Sequence, residues 1–438
     1  MSNDPQNEPQ NTVELGFATN AVHAGTTRAI GDPVGTPIFP VIAWEFDDLE
    51  HARHVFATNE GRSYSRIQNP TTEVLETRLT ALEGSAGAIA TTTGQASTLL
   101  AITTLARAGD HVVATASLFG GSVGLFNNVF PNFGITASLV ANDLEAIRAA
   151  IKPNTRIIWV EIIGNPALDV PDLEKIAAIA NEHKITFIVD NTWGAVGYIC
   201  RPLEHGAHVV THSLTKWASG QGSVMGGAVM PGHSLNLESN PIFTTPDASG
   251  KSLLENFGQN AFLTRARNLG LLQMGLTLAP QSAWQINQGL ETLALRVQRE
   301  CDTALELARW LETQPGVAWS GYPGLPNHPW HTNASKYLQN CFGAVLTVGI
   351  QGGLEGTRAF YDRLQLIRKA TNLGDVRTLA VHPWTTTHGR LTDAGRAGAG
   401  VTPEMIRVSV GLEDVNDLKR DFRQALDAIP AELTMVAK

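Results

Sequence analysis

The chain has 438 residues, of which 43% are hydrophobic and 17% charged, so it can bury a large core. Its length predicts two domains. Its net charge of −9, without any run of lysine and arginine, argues against a nucleic-acid partner. Three widely spaced cysteines, a polar N-terminus and the lack of an apolar stretch of membrane-spanning length predict a cytoplasmic protein without a membrane segment.

The N-terminal region is predicted to lack regular structure. Residues 1 to about 12 are rich in Asn, Gln and Pro, a composition typical of a disordered leader. From there to about residue 70, glycines and prolines recur too often for a regular element, as at Gly31, Pro33 and Gly35. We expect this part to be an arm that lies across other structure.

Short apolar runs alternate with helical patterns between about residues 84 and 228. The segments are 86–93, 95–106, 111–114, 156–163, 172–183 and 185–190. This alternation predicts a doubly wound, mainly parallel α/β sheet. In such sheets ligands bind beyond the carboxyl ends of the strands, which is where Asn165 and Asp190 fall.

The C-terminal part is predicted to form a smaller α+β domain. A long helical stretch over about 262–314 leads into it, and strands are expected at 344–348 and 406–410. The predicted divisions of the chain are a leader and arm over 1–70, an α/β domain over 71–275 and an α+β domain over 276–438.

Lys216 and Asp190 carry the strongest chemical signal. Lys216 lies in THSLTKWASGQGSVMGG, where partial burial would lower the pKa of its amine and make it a nucleophile toward aldehydes. Ser213 and Thr215 could place hydroxyls on a nearby phosphate. Asp190 ends an apolar strand, a costly position for an unpaired carboxylate. The alternatives are a solvated surface lysine and a carboxylate that caps the next turn.

Two further patterns concern anion and metal binding. Gly94 and Gln95 open a predicted helix, so their backbone N–H groups can bind a phosphate, although strand-glycine-helix junctions also arise for steric reasons. His382 and His388 are six positions apart beside Pro383, which does not match the helical spacing of a zinc pair. We expect both to form hydrogen bonds within a loop, and no metal site.

Several long, ordered segments resemble the cystathionine γ-synthase family of pyridoxal-phosphate enzymes. They are SYSRIQNPTTEVLETRLTALEG, DNTWGAVGYICRPLEHGAHVVTHSLTKW, VHPWTTTHGRLT and GVTPEMIRVSVGLED. The resemblance runs from about His23 to Phe422, and EIIGNP, YICRPLE and TTTHGRLT are most similar to the O-acetylhomoserine sulfhydrylase branch. It implies a fold-type I α/β enzyme with pyridoxal 5'-phosphate as cofactor.

The resemblance also implies a role for each matching residue. Lys216 would hold the cofactor as a Schiff base, Asp190 would pair with its pyridine nitrogen and Asn165 would meet its phenolic oxygen. The implied phosphate ligands are Gly94, Gln95, Ser213 and Thr215, joined by Tyr64 and Arg66 from a neighbouring subunit. The resemblance therefore implies a homotetramer built from dimers that share active sites.

Substrate residues follow from the same match. Arg407 in IRVSVG corresponds to the arginine that binds the α-carboxylate of an amino-acid substrate, a task that suits a guanidinium. Asn165, Asn372 and Thr378 are expected to join it. Lys216, Asp190, Tyr64 and Phe119 are the expected catalytic residues.

Two positions depart from the family pattern. Phe119 stands where most members have a tyrosine stacked on the cofactor, so the ring is kept and the phenol is lost. A carboxylate leaving group needs less help from an acid than a thiolate does, which favours acyl-homoserine chemistry over a lyase. The second departure is Trp384, which stands where alanine is usual and either narrows the substrate pocket or packs. Separately, Gly121 lies where methionine γ-lyases typically have Cys, which counts against that lyase.

The expected reaction is γ-replacement on O-acetyl-L-homoserine by sulfide, giving L-homocysteine and acetate in methionine biosynthesis. An O-succinylhomoserine sulfhydrylase and a cystathionine or methionine lyase remain open, as does the choice between sulfide and another thiol as the acceptor. A catalytically silent regulator on the same scaffold is disfavoured, because Lys216 and Asp190 are both present.

Overall fold

The computed structural model describes residues 15–26, 29–58 and 61–434. The leader predicted for residues 1–12 lies outside the described residues. The arm, predicted to be irregular up to residue 70, contains two helices, α1 (Phe17–His23) and α2 (Leu49–Thr58). Each of them buries a single residue, so their apolar pattern is too weak to be recognised in the sequence.

A mainly parallel sheet forms the first structural layer, as predicted. Within the described residues its strands are β1 (Ile89–Thr91), β2 (His111–Thr115), β3 (Thr136–Val140), β4 (Thr155–Glu161), β5 (Thr186–Asp190), β6 (Val209–Ser213) and β7 (Gly227–Pro231). Their spatial order is β1-β7-β6-β5-β4-β2-β3. Strand β7 runs antiparallel to β1 and β6, and the other pairs are parallel.

Alternate residues of the central strands face two different apolar cores. Ile158 and Val160 of β4 pack into one core, and Ile157 and Trp159 pack into the other. Both faces of the sheet are therefore covered, which explains why β4 reads as a continuous apolar run rather than an alternating one.

The remaining helices cover these faces and build the C-terminal part. They are α3 (Pro70–Glu83), α4 (Gly94–Leu105), α5 (Gly120–Gly124), α6 (Leu144–Ala149), α7 (Leu173–Glu182), α8 (Pro241–Thr244), α9 (Leu253–Phe257), α10 (Ala261–Ala266), α11 (Pro280–Glu291), α12 (Leu293–Leu311), α13 (His331–Tyr337), α14 (Gly353–Arg363), α15 (Asp393–Gly398), α16 (Val415–Leu426) and α17 (Ala431–Thr434). In the part of the chain that is described, no helix has the length and apolar content needed to cross a bilayer.

The helical stretch predicted over 262–314 is divided into α10, α11 and α12. A π-helical turn follows α10, and Gly275 then adopts a left-handed conformation with φ of 71°. Helix α11 starts afresh at Pro280, in the first turn, where proline fits because its missing N–H has no helical partner. A pattern of apolar residues cannot report such a break.

A second sheet lies in the C-terminal part. Its strands are β8 (Val317–Gly321), β9 (Val345–Ile350), β10 (Arg368–Lys369), β11 (Leu379–Val381) and β12 (Met405–Ser409), in the spatial order β10-β11-β12-β9-β8. The strands predicted at 344–348 and 406–410 are confirmed as β9 and β12. A domain boundary near residue 275 stays a prediction.

Arg78 fastens the N-terminal helix to the rest of the molecule. Its side chain is 1% exposed. It donates hydrogen bonds to the carbonyl oxygens of Val22 (3.1 Å), Ala24 (3.3 Å) and Asn287 (3.2 Å). The guanidinium of α3 thus holds the end of α1 and helix α11 together.

Replacing Arg78 with Met should lower the free energy of unfolding by about 2–4 kcal/mol, because buried carbonyl groups lose their donor. Equilibrium urea denaturation at fixed protein concentration measures the change. The control is Arg148→Met, which breaks an ion pair with Glu182 whose side chains are 49% and 55% exposed. Such a pair contributes about 0–1 kcal/mol, so equal losses in the two variants would contradict this account of Arg78.

Candidate active site

Neighbouring parallel strands deliver polar side chains to one edge of the first sheet. Glu161 ends β4 and lies in register with Asp190 at the end of β5. Ser213 ends β6, the next strand. These polar side chains therefore lie next to one another at the edge of the sheet where the parallel strands end.

Asp190 is held in a defined orientation by Thr192. Its Oδ1 accepts hydrogen bonds from the Thr192 backbone N–H (3.0 Å) and hydroxyl (2.6 Å). Burial raises the pKa of the Asp190 carboxyl, while the Thr192 hydrogen bonds and the nearby His212 oppose that rise. Among the described residues no side chain or N–H donates to Oδ2, so this oxygen can accept a bond from a bound molecule.

Lys216 lies in the turn that follows β6. Its Nζ donates a hydrogen bond to Asn372 Oδ1 at 2.6 Å. Burial lowers the pKa of the amine to about 8, and the charge of Arg407 contributes to this shift. A substantial fraction of the amine is therefore neutral, and nucleophilic, near physiological pH.

Arg407 joins the two sheets at the site. Its side chain on β12 is 2% exposed. Nη1 donates to Asn165 Oδ1 (2.9 Å), and Nη2 donates weakly to the Asn372 carbonyl (3.4 Å). Four of the predicted site residues, Arg407, Asn165, Asn372 and Lys216, thus form one hydrogen-bonded chain.

The N-terminus of α4 forms a cradle beside Ser213. Thr93 caps this helix by accepting from the Ala96 N–H at 3.1 Å. A Cβ on Gly94 would lie 2.6 Å from the Ser213 Cβ, so only glycine permits this approach. The first N–H groups of the helix have no intrahelical acceptor, so they can donate hydrogen bonds to a bound anion such as a phosphate.

Thr215 occupies a different environment from Ser213. Its hydroxyl accepts from the Gly226 N–H (3.1 Å) and donates to the Gly226 carbonyl (3.3 Å). These bonds close the glycine-rich loop that follows Lys216. The hydroxyl predicted to hold a phosphate is therefore already engaged within the chain.

Glu161 belongs to the site, although sequence reasoning assigned it no role. Its Oε1 accepts a hydrogen bond from the Phe119 backbone N–H at 2.7 Å. Burial raises the pKa of the Glu161 carboxyl well above its usual value, and the charge of Asp190 adds to the effect. The signal was available, because Glu161 ends an apolar run just as Asp190 does.

Phe119 is 45% exposed at the start of α5. Two buried acids hold its loop: Glu161 binds the Phe119 N–H, and Asp169 accepts from the Ser117 hydroxyl at 2.5 Å. The Phe119 ring thus lies on a loop that is held in place by hydrogen bonds to two buried carboxyl groups.

Three predicted site residues lie apart from this cluster. Tyr64 is 41% exposed, and the Arg66 guanidinium carbon lies 5.0 Å from its ring centroid. Within the described part of a single chain, no hydrogen bond or ring contact joins this pair to the cluster. Thr378 is fully buried, and its hydroxyl donates to Glu413 and accepts from the Gly411 N–H. Its role in substrate binding stays a prediction.

The segment 382–391 forms a loop beside Arg407. His382 bonds to the Thr385 hydroxyl and to the Pro403 carbonyl, both at 2.8 Å, as predicted for a loop histidine. His388 bonds to the Thr387 hydroxyl through Nδ1 only (2.9 Å). Trp384 packs against Arg396, whose guanidinium carbon lies 4.5 Å from the ring centroid.

The donor set fits an aldehyde cofactor that carries a ring nitrogen and a phosphate. Lys216 supplies a nucleophilic amine, Asp190 an open carboxylate oxygen, and the start of α4 at Gly94 the first N–H groups of a helix, which have no intrahelical acceptor. The described residues contain no group of three His, Cys, Asp or Glu side chains able to hold a metal ion.

Comparison with known proteins agrees with this chemistry. The chain is 48% identical over 423 residues to O-acetyl-L-homoserine sulfhydrylase 1 of Thermus thermophilus, covering 94% of this chain and 99% of that protein. It is 41% identical to homocysteine synthase of Schizosaccharomyces pombe over 420 residues, covering 94% and 98%.

A solved structure is also similar over nearly the whole fold. A Campylobacter jejuni protein, assigned as an O-acetylhomoserine (thiol)-lyase, contains N'-pyridoxyl-lysine-5'-monophosphate. It matches with a TM-score of 0.91 and 36% identity, covering 94% of this chain and 100% of that one. The family model for Cys/Met metabolism PLP-dependent enzymes matches residues 18–427. The chain therefore belongs to the Cys/Met metabolism family of enzymes that depend on pyridoxal 5'-phosphate.

Proposed function

We propose that this chain is an O-acetylhomoserine sulfhydrylase, which exchanges the γ-acetoxy group of O-acetyl-L-homoserine for sulfide and releases L-homocysteine and acetate. The observation that carries the proposal is the 48% identity, over almost the full length of both proteins, to the Thermus thermophilus O-acetyl-L-homoserine sulfhydrylase. The cluster of Lys216, Asn372, Arg407 and Asn165 supports it, because it combines a nucleophilic amine with a cation for an amino-acid carboxylate.

Each cofactor group has a matching residue in this proposal. Lys216 binds the aldehyde carbon, Asp190 Oδ2 accepts from the ring nitrogen, and Asn165 meets the phenolic oxygen. The phosphate is assigned to Gly94, Gln95 and Ser213, while Thr215 shapes the adjoining loop through Gly226. When bound, pyridoxal phosphate supplies an electron sink for negative charge on the substrate carbons.

Lys216 is the group that moves protons. With a pKa of about 8, its amine can accept the substrate's α-proton and later transfer a proton at the β-carbon. Arg407 and Asn372 fix the substrate so that one amine reaches both carbons.

Phe119 offers no acid, and none is required to release acetate. The γ-carbon–oxygen bond breaks with its electron pair leaving on acetate, a weak base. Hydrosulfide then forms the new carbon–sulfur bond. In this proposal the half-exposed Phe119 ring lies beside this carbon and limits access of water.

We further propose a cytoplasmic homotetramer built from dimers that share active sites. Tyr64 and Arg66 of one subunit would complete the phosphate site of its neighbour. Exposed apolar side chains on the same arm, Leu49 and Phe56 among them, support an interface there. Three buried, unpaired cysteines are compatible with a reducing compartment.

The donor and acceptor are tested by assaying homocysteine formation from O-acetyl-L-homoserine, O-succinyl-L-homoserine and cystathionine, each with and without sulfide. We expect turnover of O-acetyl-L-homoserine that requires sulfide. Lys216→Ala is the control for background reaction and should be inactive while remaining folded. Sulfide-independent cleavage of cystathionine as the main reaction would make the protein a lyase.

The pKa of Lys216 predicts how the apoenzyme takes up its cofactor. The neutral amine is the nucleophile, so the rate of covalent attachment of pyridoxal phosphate should rise with pH and level off above about 8. Borohydride reduction followed by mass spectrometry measures attachment. Arg407→Gln removes a positive charge near the amine, so the midpoint of the pH dependence of the attachment rate should move to higher pH. An unchanged midpoint would argue against an electrostatic effect of Arg407 on Lys216.

Shared active sites predict complementation between two inactive variants. Lys216→Ala and Arg66→Ala, co-expressed with different tags, should together regain about one quarter of wild-type activity, since half of randomly formed dimers are mixed and each contains one intact site. Subunits with self-contained sites would regain none.

A further inference from the structure

Two buried histidines in the loop 382–391 differ in how their ring nitrogens are used. His382 has a partner for each nitrogen, the Thr385 hydroxyl and the Pro403 carbonyl. His388 is 1% exposed, and its Nε2 has no hydrogen-bond partner within the described residues. A buried polar atom without a partner is costly, so a bound molecule that pairs with it would relieve the penalty.

The surroundings of His388 place it at the substrate end of the site. Burial, together with the charge of Arg407, lowers the pKa of the imidazole to about 4, so the ring is neutral. The strand that leads into its loop lies beside Arg407, because Val381 of β11 pairs in register with Arg407 of β12. The preceding residue contacts the loop that carries Phe119: a Cβ on Gly120 would lie 2.9 Å from the Thr387 carbonyl oxygen. His388 thus belongs to the wall shared by Arg407 and the Phe119 loop.

The hydrogen bond at Nδ1 determines what Nε2 can do. In a neutral imidazole one nitrogen carries the proton and the other accepts. When the Thr387 hydroxyl donates to Nδ1, the proton stays on Nε2 and points away from Thr387. Arg407 Nε also lacks a partner among the residues that are described. In that tautomer the site contains two buried N–H donors that lack acceptors among the described residues.

We propose that His388 is a substrate-binding residue, which donates its Nε2–H to the α-carboxylate while the Arg407 Nε–H donates to the same group. A carboxylate has two oxygens and can satisfy both donors at once. A neutral donor strengthens binding without adding another positive charge beside Arg407 and Lys216. The inference rests on the proposed function, in which the substrate is an amino acid held by Arg407.

The test compares two ligands that differ only in the carboxylate. L-Norvaline lacks a γ leaving group, and n-butylamine is the same molecule without its carboxylate. Isothermal titration of the holoenzyme gives both affinities without turnover. His388→Leu should weaken L-norvaline by about tenfold to a hundredfold, the worth of a hydrogen bond to a charged group, and leave n-butylamine unchanged. His388→Gln should recover most of the loss, because its amide nitrogen can replace Nε2.

His382→Leu is the matched control, since it disturbs the same loop at a histidine whose bonds are internal. It should change the two affinities in parallel. If His388→Leu also changes them in parallel, or not at all, its role is structural and the inference fails.

Arg407→Leu separates this inference from the proposed function. It should abolish the preference for L-norvaline over n-butylamine. Loss of the preference in Arg407→Leu but not in His388→Leu overturns only the role of His388. Absence of any preference in the wild-type enzyme overturns the carboxylate site itself, and the role of His388 with it.

Discussion

A positive charge buried where the two sheets meet governs the arrangement of this site. The Arg407 guanidinium is removed from water, and such a charge is stable only when polar groups surround it. Asn165 from the edge of the first sheet and Asn372 from the segment before β11 accept its hydrogen bonds, and the nearby Glu161 carboxyl opposes the fall in the pKa of Arg407 that burial causes. The compensation exists only while the sheets keep their relative position, so the fold and the site depend on the same contacts.

The same charge tunes the chemistry of its neighbours. Asn372 accepts from Lys216 through its side chain and from Arg407 through its backbone carbonyl, which holds two basic groups close together. Burial and mutual repulsion then favour the neutral amine of Lys216 and the neutral ring of His388. The site thus contains one permanent cation for an anionic substrate group, a lysine amine that is partly neutral, and a neutral imidazole.

Much of this could be predicted from the sequence, and the remainder has physical reasons for being missed. Strands buried on both faces leave continuous apolar runs, so β4 and β5 and the residues at their ends were recognisable. The helices of the arm bury too little to leave a pattern, and the break at Gly275 is a matter of backbone conformation. The unpaired nitrogen of His388 depends on contacts between distant segments, which spacing along the chain does not reveal.

The packing around Phe119 also bears on how this active site could change during evolution. A Cβ on Gly121 would lie 2.4 Å from the Phe119 ring and 2.6 Å from the Gln95 amide nitrogen. A larger side chain at position 121 therefore requires the ring or Gln95 to move first, or overpacking strains the loop. Positions 95, 119 and 121 are thus coupled, and a lineage that acquired a cysteine at 121 would need a permissive change at one of the others before it.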